Sequence, residues 1–301
     1  MEFKGAYTAL ITPFKEDYAV DYEKLEDLVE FQVENGISGI VVCGTTGETP
    51  TLSEEEYKKV IKTVVDKVAK RVQVIAGAGA NSTKKAIELT KICKELGADA
   101  VLSTCPYYNK PTQRGIQAHY EAISSAVDIP LIIYNVPGRT GSNVLPETIE
   151  KLSHIPNIVG VKEASGSLEQ MIEIRKLCRK NFNILSGEDH LIMPMSAVGC
   201  RGVISVIANI LPKKVSEFYN LQGEEKEAMH EYLYDISRNL FIEGNPVTVK
   251  EAMDILGLAS NRVRLPLVSA EPKTREKLKN LFKLKGLLWD LKSIKAWVTI
   301  S

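Results

Sequence analysis

Eight short runs of apolar, largely β-branched residues recur along the first two-thirds of the chain, and each gap between them could hold a helix. The runs cover residues 6–11, 39–43, 72–76, 100–103, 131–135, 158–162, 183–186 and 202–206. Parallel strands need such long crossovers, whereas antiparallel strands can be joined by tight hairpins. The spacing predicts eight β-α units, which close most economically into a (β/α)8 TIM barrel. An open doubly wound sheet is the alternative, although no G-x-G-x-x-G follows the first run.

The gaps between the runs carry recognisable helix signals. An apolar pattern with three-four spacing leads up to Gly36, which stands where a C-cap glycine is expected. Ser53 is followed by three glutamates, and this pattern predicts a capping box at the start of the next helix. Asn81 or Ser82 can cap the helix after that. These signals support the alternation of strands and helices.

The strand pattern stops near residue 211, and the rest of the chain is helical in character. The predicted helices cover residues 214–221, 224–238, 247–256 and 273–288. We therefore expect a barrel over residues 1–224 and a C-terminal helical domain over residues 225–301. These helices need a surface, which the barrel or a neighbouring subunit could supply. Residues 289–301 hold both tryptophans, and the sequence assigns them no role.

Composition excludes several classes of protein. Of the 301 residues, 44% are hydrophobic and 25% charged, which is typical of globular proteins rather than disordered ones. Basic and acidic residues balance at 38 each, so a nucleic-acid partner is not expected. There is no apolar stretch long enough to span a membrane and no apolar signal segment at the start, and the expected location is the cytoplasm. The five cysteines and four histidines are scattered, so neither a disulfide framework nor a metal site is predicted.

Lys162 is the most informative residue, because it continues the buried run at 158–161. In a TIM barrel the active site lies at the carboxyl ends of the strands. Burial penalises the ammonium form of a lysine, and a neutral amine can attack a carbonyl to form a Schiff base. The alternative is a side chain that extends to solvent or pairs with Glu163.

Other polar residues end neighbouring strands. Tyr134 could move protons at an intermediate on Lys162, or it could be an ordinary tyrosine at the edge of the core. Thr45 and Thr46 stand between two glycines, in a turn that could bind an anion or could simply reverse the chain. Arg139 could bind a carboxylate or form a surface ion pair. Their convergence on one rim favours a site.

Four ordered motifs stand at or near the predicted strand ends. They are Gly44-Thr45-Thr46-Gly47-Glu48, Tyr107-Tyr108-Asn109-Lys110-Pro111-Thr112-Gln113, Tyr134-Asn135-Val136-Pro137-Gly138-Arg139-Thr140 and Val159-Gly160-Val161-Lys162-Glu163. Together they resemble the dihydrodipicolinate synthase (4-hydroxy-tetrahydrodipicolinate synthase) family. The resemblance extends from Phe3 to about Leu288. It implies a (β/α)8 barrel with a helical C-terminal domain. It also implies a lyase that condenses pyruvate with L-aspartate 4-semialdehyde in the diaminopimelate route to lysine.

The resemblance also implies the catalytic roles. Lys162 would form the Schiff base with pyruvate, so that no separate cofactor or metal is needed. Tyr134, Thr45 and Tyr108 would form a proton relay. Because the family's equivalent of Tyr108 reaches in from a neighbouring subunit, we expect a homo-oligomer, a dimer of dimers.

The remaining expected site residues bind substrate. By the same resemblance, Thr46 would hold the pyruvate carboxylate together with Thr45, and Ile204 would contribute through its backbone. Arg139 would bind the carboxylate of the semialdehyde, and Gly187, after the seventh strand, would lie beside the substrate.

Two alternative functions stay open. A related pyruvate-dependent aldolase acting on a sugar acid, such as a keto-deoxy-gluconate aldolase or N-acetylneuraminate lyase, would share the lysine and the glycine-rich turn. A non-catalytic barrel that binds a keto acid would keep the turn without needing Tyr134 and Tyr108 beside Lys162.

One departure from the family concerns feedback regulation. Lysine-inhibited members have an acidic residue at the position of Lys85 and an interface histidine at the position of Tyr57. A cation at residue 85 should repel the ammonium group of lysine. We therefore expect weak or absent inhibition by lysine.

Overall fold

The computed structural model describes residues 1–288, and its eight strands close into one barrel. All neighbouring strands are parallel, and β1 pairs with β8 to close the sheet. The strands are β1 Gly5–Ala9, β2 Gly39–Val42, β3 Gln73–Gly77, β4 Ala100–Thr104, β5 Leu131–Asn135, β6 Ile158–Glu163, β7 Asn183–Ser186 and β8 Gly202–Ser205. The predicted (β/α)8 TIM barrel is confirmed, and the open-sheet alternative is wrong.

Helices follow the strands and continue beyond the barrel. They are α1 Tyr22–Glu34, α2 Glu54–Val68, α3 Thr83–Glu95, α4 Gln113–Ala126, α5 Pro137–Thr140, α6 Pro146–Ser153, α7 Leu168–Leu177, α8 Ile192–Ala197, α9 Pro212–Phe218, α10 Gly223–Asn239, α11 Val247–Ile255 and α12 Pro272–Leu284. Short 3-10 turns cover Thr45–Gly47, Thr49–Thr51, Asp189–Leu191 and Ile207–Asn209. Within residues 1–288, no helix combines the length and apolarity that a membrane crossing needs.

Most predicted element ends are close to the observed ones. Ser53 forms the predicted capping box with Glu56, and Ser82, rather than Asn81, caps α3. Gly36 has φ +77°, the left-handed conformation expected just past a helix end. The first strand is shorter than predicted, because the amide of Ile11 donates to the side chain of Asn209 instead of to a neighbouring strand.

The C-terminal helices are present, but three of them begin one or two residues earlier than predicted. Pro212 and Pro272 occupy the first positions of α9 and α12, where the missing amide hydrogen costs nothing. The predicted domain boundary between residues 224 and 225 falls just inside α10, and the division into two domains stays a prediction. The last predicted helix, over residues 273–288, was predicted too long, because α12 ends at Leu284 and Gly286 follows with φ +69°. Residues 289–301, to which the sequence assigns no role, lie outside the described residues.

Apolar side chains form two layers, one inside the barrel and one between the sheet and the helices. The inner layer includes Tyr7, Ile132, Tyr134, Leu185 and Ile204. The outer layer is larger and also takes in buried side chains of the C-terminal helices, among them Leu233, Ile236 and Phe282. The barrel of the same chain therefore supplies a surface on which those helices pack, and α10 contacts the turn that follows β7.

Candidate active site

Lys162 and Tyr134 lie side by side at the carboxyl ends of β6 and β5. The two residues are register partners, and each is only 7% exposed. The Nζ atom of Lys162 lies 4.3 Å from the centre of the Tyr134 ring, within the range of a cation–π contact. The structure thus brings together the two side chains that sequence analysis selected, at buried strand ends.

Glu163 faces away from Lys162, although it is the next residue along the strand. Successive side chains of a strand point to opposite faces. The Glu163 carboxylate is fully buried and accepts hydrogen bonds from Asn135 Nδ2, at 3.0 and 3.2 Å, from Gln170 Nε2 at 3.0 Å and from the Ser165 amide at 2.7 Å. The alternative in which Glu163 neutralises Lys162 is therefore wrong. Glu163 instead anchors the strand end that carries the lysine.

Gly187 leaves the space that the lysine side chain occupies. A Cβ atom at this position would lie 2.6 Å from Cβ of Ala164 and 3.0 Å from Cε of Lys162. Both distances are far below a normal carbon–carbon contact. A side chain at position 187 would clash with Ala164 and crowd the end of Lys162, so the structure gives this glycine a steric reason to lie beside the lysine.

The two threonines lie in the 3-10 turn Thr45–Gly47, directly after β2. Thr46 is 2% exposed, whereas Thr45 is half-buried. The Thr12 hydroxyl stabilises the turn by donating a hydrogen bond to the Gly47 carbonyl at 2.7 Å. Asn245, from the loop before α11, donates from Nδ2 to Oγ1 of Thr46 at 2.9 Å. The turn therefore depends on the barrel and on the C-terminal helices together.

Glu188 brings a titratable group to the same rim. Its side chain is mostly buried, and this burial raises the pKa of the carboxyl to about 7. The positive charges of Lys162 and Arg139 act in the opposite direction, while Asp189 raises the pKa further. A carboxyl that titrates near neutral pH beside an amine is typical of functional sites.

Asp189 holds the end of the strand that carries Ile204. Its Oδ2 atom accepts hydrogen bonds from the amides of Val206 at 2.7 Å and Ile207 at 3.0 Å, and the residue is 3% exposed. Burial raises the pKa of its carboxyl. Ile204 is 1% exposed and belongs to the inner layer of the barrel.

Arg139 and Tyr108 lie further out. Arg139 is on the short helix α5 after β5, is exposed, and donates from Nη2 to the Asn245 carbonyl at 3.5 Å. Tyr108 is 90% exposed and has φ +72°, an uncommon conformation for a residue other than glycine. Within this chain the structure does not bring the Tyr108 ring to the buried Lys162.

Sequence reasoning missed several residues of the site. Glu188 and Asp189 stand just after Gly187 at the end of the seventh strand, which places them on the rim, but the sequence assigned them no role. Asn245 lies in the helical part of the chain, and nothing in the sequence indicates that its side chain reaches Thr46.

The two residues at the predicted regulatory position differ in exposure. Lys85, in the first turn of α3, is half-exposed, and its Nζ atom lies 3.7 Å from Glu88. Tyr57 is buried, and its hydroxyl donates to the Gly77 carbonyl at 2.7 Å. The Tyr57 hydroxyl is therefore used inside the protein, whereas an interface residue would present its polar group at the surface.

The fold and the site define a (β/α)8 barrel with a buried lysine at the carboxyl end of one strand. The chain belongs to the dihydrodipicolinate synthetase family, whose model matches residues 2–285. The family that the four motifs predicted is therefore confirmed.

Individual relatives agree with this assignment. A 4-hydroxy-tetrahydrodipicolinate synthase from Geotalea uraniireducens is 52% identical over 290 residues, which cover 95% of this chain and 100% of the relative. The crystal structure of dihydrodipicolinate synthase from Aquifex aeolicus is 46% identical with a TM-score of 0.92, covering 95% of this chain and 99% of that one. A dihydrodipicolinate synthase from Cyanidioschyzon merolae, solved with lysine bound, is 41% identical with a TM-score of 0.92 over 95% and 99% of the two chains. The predicted enzyme class, a lyase of this family, is confirmed.

Proposed function

We propose that the protein condenses pyruvate with L-aspartate 4-semialdehyde through a Schiff base on Lys162. The observation that carries this proposal is the placement of Lys162, which is 7% exposed, lies against Tyr134 and occupies space that Gly187 leaves open. An amine in such a pocket can meet a small keto acid without competition from bulk water. Membership of the family supports the same choice of substrates.

The proposed reaction proceeds in four covalent stages. The Lys162 amine adds to the keto carbon of pyruvate, and loss of water gives an imine. The protonated imine withdraws electrons, so the methyl group releases a proton and an enamine forms. The enamine carbon attacks the aldehyde, whose oxygen takes up a proton. The substrate amino group then displaces Lys162 from the imine carbon and closes a six-membered ring.

The other residues would handle protons and position the substrates. We assign the proton relay to Tyr134, Thr45 and Tyr108, and general acid–base help of this kind is typically worth about 10²–10⁴-fold in rate. Thr46 and the backbone of Ile204 would hold pyruvate near the lysine. The exposed guanidinium of Arg139 would receive the carboxylate of the semialdehyde, which it can bind through two parallel hydrogen bonds.

Further expectations concern the cofactor, the oligomeric state and the location. The imine itself serves as the electron sink, so the proposed reaction needs no separate cofactor or metal ion. Tyr108 is exposed in a single chain, and it would take part in the relay if its ring entered the site of a second copy. This exposure supports a homo-oligomer built from active-site dimers. The dimer of dimers and the cytoplasmic location stay predictions.

Borohydride reduction in the presence of pyruvate tests the proposal. The imine should be reduced, and peptide mass spectrometry should find the added mass on Lys162, while the many surface lysines serve as internal controls. Labelling of those lysines alone would contradict the proposal, as would a protein that stays unlabelled.

An assay with different aldehydes then separates the enzyme functions. We expect turnover of pyruvate with aspartate semialdehyde, because Arg139 offers a cation for its carboxylate. Preferential turnover of sugar-derived aldehydes would instead indicate the aldolase alternative. Labelled Lys162 without turnover of any aldehyde would contradict the proposed condensation.

A further inference from the structure

A buried ion pair joins the turn after β2 to the C-terminal helices. Lys250, on α11, is fully buried, and Glu48, the residue that follows the Thr45–Gly47 turn, is 2% exposed. Nζ of Lys250 donates a hydrogen bond to Oε1 of Glu48. The two residues are 202 positions apart in the sequence, so only the folded chain brings them together.

The surroundings satisfy both members of this pair. The second carboxylate oxygen of Glu48 accepts a hydrogen bond from the amide of Arg264 at 2.9 Å, and Lys250 also donates to the Arg262 carbonyl at 2.8 Å. The ring of Phe14 lies 4.0 Å from Nζ of Lys250 and 4.4 Å from Cζ of Arg264. Both oxygens of the Glu48 carboxylate are thus bound by groups from the chain segment that follows the barrel.

The backbone of Glu48 places this pair directly at the predicted carboxylate-binding turn. Glu48 ends the 3-10 turn with φ +52°, and its amide donates to the Thr45 carbonyl at 3.1 Å. The left-handed conformation is costly for a residue with a side chain and persists only where its surroundings enforce it. The ion pair fixes the side chain of Glu48, and the hydrogen bond from Asn245 to Thr46 joins the same turn to the chain after the barrel.

Stability alone does not explain why charges are buried here. Replacing a buried ion pair with uncharged residues of similar size often leaves stability unchanged or raises it, whereas removing one partner is strongly destabilising. In some proteins a buried polar or charged group instead selects one geometry among several. The geometry at issue is the orientation of Thr45 and Thr46.

We propose that Glu48 and Lys250 are positioning residues, through which the C-terminal helices hold the Thr45–Thr46 turn in the conformation that receives the pyruvate carboxylate. Neither residue touches the substrate. This inference rests on the proposed function, since it assumes that pyruvate is the molecule bound there. Under this proposal the helices after the barrel contribute to pyruvate binding, which precedes imine formation on Lys162.

The test compares pyruvate binding with stability in matched variants. The variants are Lys250→Met, Glu48→Gln and the double variant Glu48→Gln/Lys250→Met. Arg275→Gln serves as control, because it breaks a pair with the buried Glu251, the residue after Lys250, but does not touch the turn. For each protein we would measure the melting temperature, the pyruvate concentration that gives half-maximal borohydride trapping on Lys162, kcat, and KM for both substrates.

The double variant is expected to fold with a melting temperature near that of the wild type. Its half-saturating pyruvate concentration should rise about ten- to hundredfold, since a misplacement of about 1 Å can cost about 10²-fold. KM for the semialdehyde should not change, because Arg139 is untouched. The Arg275→Gln control should melt at a lower temperature and yet bind pyruvate like the wild type.

The other outcomes distinguish failure of the positioning role from failure of the proposed function. A folded double variant with wild-type pyruvate binding overturns the positioning role while the proposed function stands. If no variant of the pair folds, the pair is needed for the fold itself, and the positioning role is again overturned. A wild-type protein that traps no pyruvate overturns the proposed function, and this inference fails with it.

Discussion

Two parts of the candidate site differ sharply in how the chain holds them. At the ends of β5 and β6, Tyr134 and Lys162 are each 7% exposed and are fixed by strand pairing. On the loop between β4 and α4, Tyr108 is 90% exposed, and its amide donates to the Thr140 carbonyl at 3.3 Å. Sequence analysis assigned residues of both parts to the same reaction.

Under the proposed function, the two parts would belong to different steps, one carried by a single chain and one shared with a neighbouring copy. The strand ends provide a preorganised amine that needs nothing from outside the chain. Ordering an exposed tyrosine costs side-chain entropy, and contacts with a partner surface can offset that cost. We therefore expect imine formation to depend on the strand ends, and the later proton transfers to depend also on the loop.

The largest effect is expected from Lys162→Ala. Without the amine no imine forms, so turnover should fall to background, and borohydride should label no active-site peptide. The fold should persist, because the side chain lies at the rim of the barrel. Circular dichroism would check this, and either an unfolded variant or retained turnover would contradict the assigned role.

Tyr108→Phe should separate the two regions. Removing the phenol should slow turnover by about 10²–10⁴-fold, while trapping of pyruvate on Lys162 continues. Tyr107→Phe is the matched control, because Tyr107 is also exposed, at 41%, and has no assigned role. A wild-type rate for the Tyr108 variant would remove this residue from the relay.

Mixing the Lys162→Ala and Tyr108→Phe proteins tests whether Tyr108 acts in the site of a neighbouring chain. If Tyr108 serves a neighbouring copy, a mixed dimer of Lys162→Ala and Tyr108→Phe chains has one site with both groups intact. Refolding the two variants together should then restore part of the turnover that each lacks. No recovery, in a mixture shown by mass spectrometry to contain mixed dimers, would place Tyr108 in its own chain's site.

A smaller effect concerns Glu188 and stability. Burial raises the pKa of this carboxyl from 4.5 to about 7, so the folded protein binds the proton more tightly than the unfolded chain does. The free energy of unfolding should therefore fall as pH rises from about 4.5 to about 7, and this loss is complete above the folded-state pKa.

Glu188→Gln should remove that part of the pH dependence. We compare the free energy of unfolding of the variant with that of the wild type at each pH. The difference, variant minus wild type, should be up to about 3 kcal/mol larger at pH 8 than at pH 4. Denaturant unfolding at both pH values measures this, with the exposed Glu173→Gln as control. Parallel pH profiles for wild type and Glu188→Gln would contradict the assignment.

The smallest expected effect is that of added lysine. Lys85 lies on α3, close to the loop of Tyr108, because Asn109 donates to the Asn81 carbonyl at 2.9 Å. A cation at this place should disfavour a bound lysine, so millimolar lysine should leave steady-state rates unchanged. Strong inhibition would show that other groups at this surface outweigh the charge of Lys85.

The sequence predicted most of the barrel and the centre of the site. Alternation of apolar runs and helix signals depends on local periodicity, and all eight strands followed from it. Lys162 and Tyr134 could be placed together because parallel strand ends meet at one rim. The end of the first strand was placed too late, since the bond from Ile11 to the distant Asn209 side chain has no local signal.

The remaining features depend on contacts that no local pattern contains. Charged residues are almost always exposed, so neither Lys250 nor Glu48 could be assigned to the interior before the fold was known. The pKa of Glu188 likewise depends on what buries it. For Tyr108 the sequence could indicate a role through family resemblance, but its exposure is a property of the folded loop.

A crystal soaked in pyruvate tests the central claim most directly. The account predicts continuous electron density from Nζ of Lys162 to the central carbon of pyruvate, with the carboxylate of pyruvate at the Thr45–Thr46 turn. Density for pyruvate that stops short of the nitrogen, or a lysine side chain turned away from it, would contradict the account.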